Sequence, residues 1–130
     1  MDAFVRAEIP DDTEGDGDLL ECVKEHMLHT SCINNKTDAI CIGADGKCQK
    51  HFPKMFSETT VIGTEAYPTY KRRDNGSTIR LKKGNAFFEV DNRFVVPYNP
   101  WLLKRYRCHT NVEVCASVKS VKYIYKYIHL

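Results

Sequence analysis

The stretch SCINNKTDAICIGADGKCQKHFPKMF, residues 31–56, is polar and rich in turn formers, with Cys32, Cys41 and Cys48 spaced along it. It carries neither the 3.6-residue period of a helix nor the alternation of a strand, so it has no regular apolar face to bury. A folded domain must hold such a segment by other means. His26, His29, Cys32, Cys41, Cys48 and His51 offer more than four nitrogen and sulfur ligands. A structural Zn²⁺ takes four of these tetrahedrally and can order a loop that has no core of its own. The competing account is a set of reduced thiols buried as small apolar groups. The spacings match no standard zinc finger. Cys22, Cys108 and Cys115 fall on predicted helix or strand faces and are expected in the core.

A 130-residue chain with 42% apolar residues is enough for one domain. Within it, DDTEGDGD is acidic and suits an exposed linker, so residues 1–18 are read as an acidic lead-in. Asp18 and Glu21 form a capping-box pattern ahead of Leu19, Leu20, Val23 and Met27, which predicts a helix ending near His29 or Thr30. Residues 19–56 thus form a helix plus a Cys/His loop, and residues 57–130 a sheet and a terminal helix. AYPTYKRR and TIRLKK predict a hairpin turning at Asn75-Gly76, and AFFEV with RFVVPY a second pair turning at Asp91-Asn92. Pro97 and Pro100 break the pattern before WLLKRY, and CHTNVEVC alternates like a strand, with His109 and Glu113 on one face. GADGKC lacks the spacing and the Lys-Ser/Thr ending of a phosphate-binding loop and is read as a turn. The expected class is α+β, with a mostly antiparallel sheet.

The net charge of +2 hides a division. Residues 1–46 hold 3 basic and 11 acidic residues, whereas residues 47–130 hold 16 and 6. The basic portion points to a polyanion such as nucleic acid, or to an ordinary solvated lysine surface. The sequence has no secretory signal and no bilayer-spanning run, so a chain of the cytosol or nucleus, without a membrane partner, is expected.

SVKSVKYIYKYIHL, residues 117–130, returns to a helical period. On a wheel of about 100° per residue, Val118, Val121, Tyr125 and Ile128 share one arc, with Ile124 at its margin. Lys119, Lys122 and Lys126 fall opposite, flanked by Tyr123 and Tyr127. Two phenols four residues apart among lysines can act in three ways. They can be nucleophiles whose phenolates the ammonium groups stabilise, a stacking face for bases, or cover for half-buried surface.

DNRFVVPYNPWLLKRYRCHTNVEVCASVKSVKYIYKYI resembles part of the Helitron transposases, rolling-circle Rep–helicase proteins of eukaryotic transposons. MLHTSC…C…DGKCQKHFPKMF and AYPTYKRRDNG resemble the segment preceding it, so the likeness runs from about AEIPDD onward. It implies a two-tyrosine nuclease of the HUH class, in which the K-Y-x-x-K-Y element carries the nucleophiles, here Tyr123 and Tyr127. It further implies attack on a phosphodiester of single-stranded DNA, leaving a 5′-phosphotyrosine and a free 3′-hydroxyl. The family's H-x-x-C…C…G-K-C block selects His29, Cys32, Cys41 and Cys48 as the candidate zinc ligands. Lys119, Lys122 and Lys126 are candidate DNA contacts; Arg72 and Arg73, beside the Asn-Gly turn, are read from the residues either as phosphate contacts or as the solvated arginines of a hairpin tip.

Two departures accompany the likeness. HUH chemistry uses two histidines flanking one apolar residue to hold Mg²⁺ or Mn²⁺. The histidines here are His26, His29, His51, His109 and His129, no two of them two apart. The resemblance puts the HUH element upstream of this segment and the helicase downstream. The chain is therefore expected to be a piece of a nuclear transposase that nicks and joins single-stranded DNA only within the longer protein. Two alternatives stand beside it: a zinc-ordered basic module that binds single-stranded DNA without chemistry, and a decayed transposon remnant.

Overall fold

A computed structural model describes residues 2–11, 17–31, 33, 39–63 and 68–114. These residues form an α+β arrangement of two helices and one two-stranded antiparallel sheet, in the order α1 (Gly17–His26), β1 (Ile79–Lys83), β2 (Ala86–Val90) and α2 (Pro100–Tyr106). The terminal helix expected to carry Tyr123 and Tyr127 lies outside the described residues.

Helix α1 buries Leu19, Cys22 and Val23, and Met27 just beyond it is fully enclosed. That is the i, i+3, i+4 stripe of an amphipathic helix. Asp18 in the first turn and Lys24 and His26 in the last match the helix dipole. The helix stops three or four residues sooner than its periodicity predicts, because the chain after it is claimed by a tertiary partner. Leu28 bridges Val95, the Val96 amide donates to the Met27 carbonyl (2.8 Å), and the His29 amide donates to the Phe94 carbonyl (2.9 Å).

The sheet is shifted by one pairing from the expectation. Asn75-Gly76 does turn the chain, with Gly76 at φ +80° and the Ser77 amide donating to Asn75 Oδ1. The segments on either side do not pair with one another. Residues 69–72 bridge back to residues 57–61 instead, through Val61–Thr69 and Ser57–Arg72. β1 pairs forward with β2 through Gly84-Asn85, in the register Ile79↔Val90 to Lys83↔Ala86. Gly84 at φ +64° occupies the first position of the two-residue loop, where a type II′ turn calls for glycine.

The second expected pair is also replaced. Asp91 accepts a hydrogen bond from the Arg93 amide and caps a 3₁₀ turn over Asn92–Phe94. Past that turn, Val95 and Tyr98 pair with Leu28 and Arg6 rather than with β2. Residues 108–114 belong to no ladder; the Val112 amide donates to the Pro97 carbonyl. Pro100 opens α2 at its first position, where a missing N–H costs nothing, and Asn99 Oδ1 caps the Leu102 amide at 2.9 Å.

Ile9, α1 with Met27, Ile79, Val90, Val95, Val96, Tyr98 and Leu103 form one core cluster. Val5, Ala7 and Tyr70 form a smaller one, and the Tyr70 hydroxyl accepts from the Val114 amide. Residues 5–9 are therefore core, not linker: the alternation Val5, Ala7, Ile9 is buried and Arg6 pairs with Tyr98.

Two buried polar side chains tie these segments together. Asn92, 1% exposed, accepts the Ile9 amide on Oδ1 and donates to the Arg73 carbonyl from Nδ2, both at 2.8 Å. Arg72, 3% exposed, donates from Nη1 to the carbonyls of Val95 (2.6 Å) and Asn92 (2.8 Å), with Ala7 at a longer 3.5 Å. Burial pushes its guanidinium down to about 10, against the opposing pull of Glu113, Tyr70 and Glu8, so it stays charged at neutral pH. Replacing Asn92 by Ala strands the buried Ile9 amide, a cost of about 1–3 kcal/mol, and the half-buried Arg73 carbonyl, which costs less because water can reach it. Urea unfolding of Asn92→Ala is expected to show a loss of about 2–4 kcal/mol.

Candidate metal centre

The Gly43–Cys48 turn brings two thiols together. Ile42 bridges Cys48, the Gly43 amide donates to the Lys47 carbonyl, and the Gln49 amide donates to the Cys41 carbonyl at 2.7 Å. Gly46 sits at φ +75°, a conformation that suits glycine, and Asp45 Oδ1 accepts from the Lys47 amide to lock the turn. Nε2 at the end of the exposed Gln49 side chain lies over Gly43, where a Cβ would make that flexible side chain move aside. The result is that Cys41 and Cys48, seven positions apart, sit beside each other, both buried.

His29 arrives from a different part of the chain. Its backbone is fixed by the bond to Phe94, and its ring stacks on Phe52 at 4.5 Å and 15°. Phe52 follows the cysteine turn and packs against the main core, so the stack locks the imidazole to the body of the domain. Ser31 Oγ lies 3.5 Å from Cys41 Sγ, and Cys48 Sγ lies 3.5 Å from His29 Nε2. The ligand atoms of His29, Cys41 and Cys48 all lie within 4.8 Å of one another, a group that can hold a metal ion.

The protonation state of His29 suits ligation. Burial lowers the His29 pKa, and Lys50, Lys54 and His109 add to that by repulsion. The ring is thus neutral at neutral pH, with a lone pair for a metal. A tetrahedral zinc with bonds of about 2.3 Å to sulfur and about 2.0–2.1 Å to nitrogen spaces its ligand atoms about 3.5–3.8 Å apart. The Cys48–His29 distance already matches such an edge.

Of the four ligands expected from the sequence, three converge; Cys32 lies outside the described residues. His26 and His51 do not join the group. The Phe52 stack and the Ser31 contact were not read from the sequence, although an aromatic directly after Lys50-His51 was a visible signal. Cys22 is buried as expected. Cys108 is exposed, because residues 108–114 form no strand that would turn it inward. His109 and Glu113 are exposed for the same reason, and the Nδ1 of His109 meets the His26 carbonyl at 2.7 Å.

The expected DNA contacts divide. Arg72 is corrected: its guanidinium is buried and engaged with backbone carbonyls, so it cannot reach a phosphate. Arg73 is exposed but held by Glu8, with Nε at 2.9 Å and Nη2 at 3.0 Å from the two carboxylate oxygens. Tyr123, Tyr127, Lys119, Lys122 and Lys126 lie outside the described residues. Among the described residues no helix is long and apolar enough to cross a membrane. Protein-family models give no match to this chain, and no curated protein matches it.

Burial acts to raise the Glu8 pKa, but the hydrogen bonds and charge of Arg73 outweigh it and hold the carboxyl below its usual value of 4.5. A depressed carboxyl contributes stability that is complete above its unfolded pKa and lost as pH falls through the folded one. Acid titration of thermal stability should therefore be flatter below pH 4.5 in Glu8→Gln than in the parent protein.

Proposed function

We propose that this chain is a zinc-ordered segment of a Helitron-like transposase that handles single-stranded DNA, with Tyr123 and Tyr127 as nucleophiles in the longer protein. The observation that carries this reading is the convergence of His29, Cys41 and Cys48. These residues belong to the same H-x-x-C…C…G-K-C block on which the resemblance rests, and their spacings are too irregular to meet through one helix or one strand. Cys32 is the fourth ligand in this reading, on sequence grounds. A zinc ion there would supply no chemistry to DNA. It would cross-link the end of α1 to the cysteine turn and so order a segment with little core of its own.

For the DNA half, the support is the Lys122-Tyr123-Ile124-Tyr125-Lys126-Tyr127 element. A tyrosinate oxygen attacks the phosphorus, the bond from phosphorus to the 3′-oxygen breaks, and the leaving oxygen takes a proton to become a 3′-hydroxyl. Lysines beside the phenol favour the phenolate and attract the phosphate. The second tyrosine allows a second cleavage before the first covalent link resolves. The histidines of this chain do not fit an HUH cation site, so no metal-dependent step is assigned to it.

Protein purified without added zinc should contain about one equivalent of the metal, falling to near none in Cys41→Ser and Cys48→Ser. Elemental analysis checks this, and metal-free parent protein would defeat the zinc assignment. Mixed with an HUH-bearing segment, a single-stranded oligonucleotide and Mn²⁺, the chain should form a covalent adduct that Tyr123→Phe with Tyr127→Phe abolishes. Denaturing gel electrophoresis reads the adduct. Binding that persists in the double variant without any adduct from the parent would leave a DNA-binding module without catalysis.

A further inference from the structure

The β1–β2 hairpin has one face turned to the core and one to solvent. Ile79 and Leu81 pair with Val90 and Phe88 on the inner side, where they join the main cluster. The outer side presents Arg80, Lys82, Phe87 and Glu89, all exposed. Phe87 is 58% exposed, so this ring is not part of the core. Register places Lys82 directly across from Phe87, and Arg80 across from Glu89. The Arg80 guanidinium carbon lies 4.5 Å from the Phe87 ring centroid, and Lys82 Nζ lies 5.7 Å from it.

We propose that this face is a stacking platform for single-stranded nucleic acid, with Phe87 receiving a base and Arg80 and Lys82 meeting the adjoining phosphates. The proposal deepens the single-stranded DNA reading above and rests on it. An unpaired nucleotide offers two features, a π-face and an anionic linkage, and the outer face of the hairpin offers the complement of each within 6 Å. The Arg80 guanidinium plane over the ring is itself a surface on which a base can stack. The two-residue turn and the inner apolar pairs hold the platform in place without any ligand. Glu89 is the one acid on this face and opposes phosphate, so its removal should tighten binding.

The test uses the full chain and a fluorescein-labelled oligo-dT of about 12 nucleotides, within the usual span of single-strand binding sites. Anisotropy is recorded across a salt series. Phe87→Ala should weaken binding roughly 5- to 150-fold with little change in salt slope. Phe87→Trp, which keeps a π-face, should restore it. Lys82→Gln should reduce the log–log salt slope by about 0.7, and Glu89→Gln should raise affinity. Because Phe87 lies outside the core, circular dichroism of the Ala variant should match the parent. If the parent binds and Phe87→Ala binds equally well, the platform is overturned while the DNA reading survives. If the parent fails to bind at low salt, both fall. If polyglutamate displaces the oligonucleotide at equal charge concentration, the face takes acidic chains in general and the nucleic-acid assignment is wrong.

Discussion

A buried guanidinium and a buried carboxamide hold together three segments that share no sheet. Asn92 joins residue 9 to residue 73, and Arg72 reaches the carbonyls of residues 92 and 95. Backbone in irregular segments must find partners somewhere, since an unpaired buried amide or carbonyl is costly. Here side chains supply what a wider sheet would otherwise provide. Among the described residues the main ladder has two strands, and the other pairings are single bridges. Between such bridges, Asn92 and Arg72 act as rivets. That is how an arginine can be almost fully buried: its charge is met by carbonyl oxygens, with a favourable pull from Glu113 and Glu8.

The group of His29, Cys41 and Cys48, which can hold a metal ion, extends the same economy to the cysteine segment. A tight turn made by glycines and an aspartate sets two thiols side by side, and an aromatic stack sets an imidazole against them. The turn is local and the histidine is distant, so the group links a loop to the end of α1. Bridging of this kind is how a segment without an apolar face gains a place in a domain. The hairpin stands apart from this arrangement, anchored through its inner residues while its outer residues remain open to solvent.

Much of this was legible in the residues. Helix α1 announced itself by its apolar stripe, the α+β class by the change of period, and the metal group by nitrogen and sulfur ligands in a segment with no period. Partner choice was not legible. Asn75-Gly76 is a good turn signal, yet a turn does not state which strands pair, and a closer glycine at position 84 allowed the tighter hairpin. Residues 5–9 sit beside an acidic run whose composition suggested exposure, while their short alternation of Val5, Ala7 and Ile9 carried the contrary message. Arg72 and Arg73 are neighbours of identical chemistry, and only the alternating direction of an extended backbone sends one inward and the other out.

The bonds of residues 4–9 have a temporal side. Several of their partners, Asn92, Tyr98 and Asn99, lie more than eighty positions along the chain, and Arg72 and Arg73 lie 65 positions along it. Ribosomes add about 5–20 residues per second, which leaves residues 4–9 waiting several seconds for these partners to exist. Closing so long a loop comes late in assembly and makes it slow. Residues 4–9 thus settle later than the chain around them is made, and during that interval they lie open to proteases and chaperones.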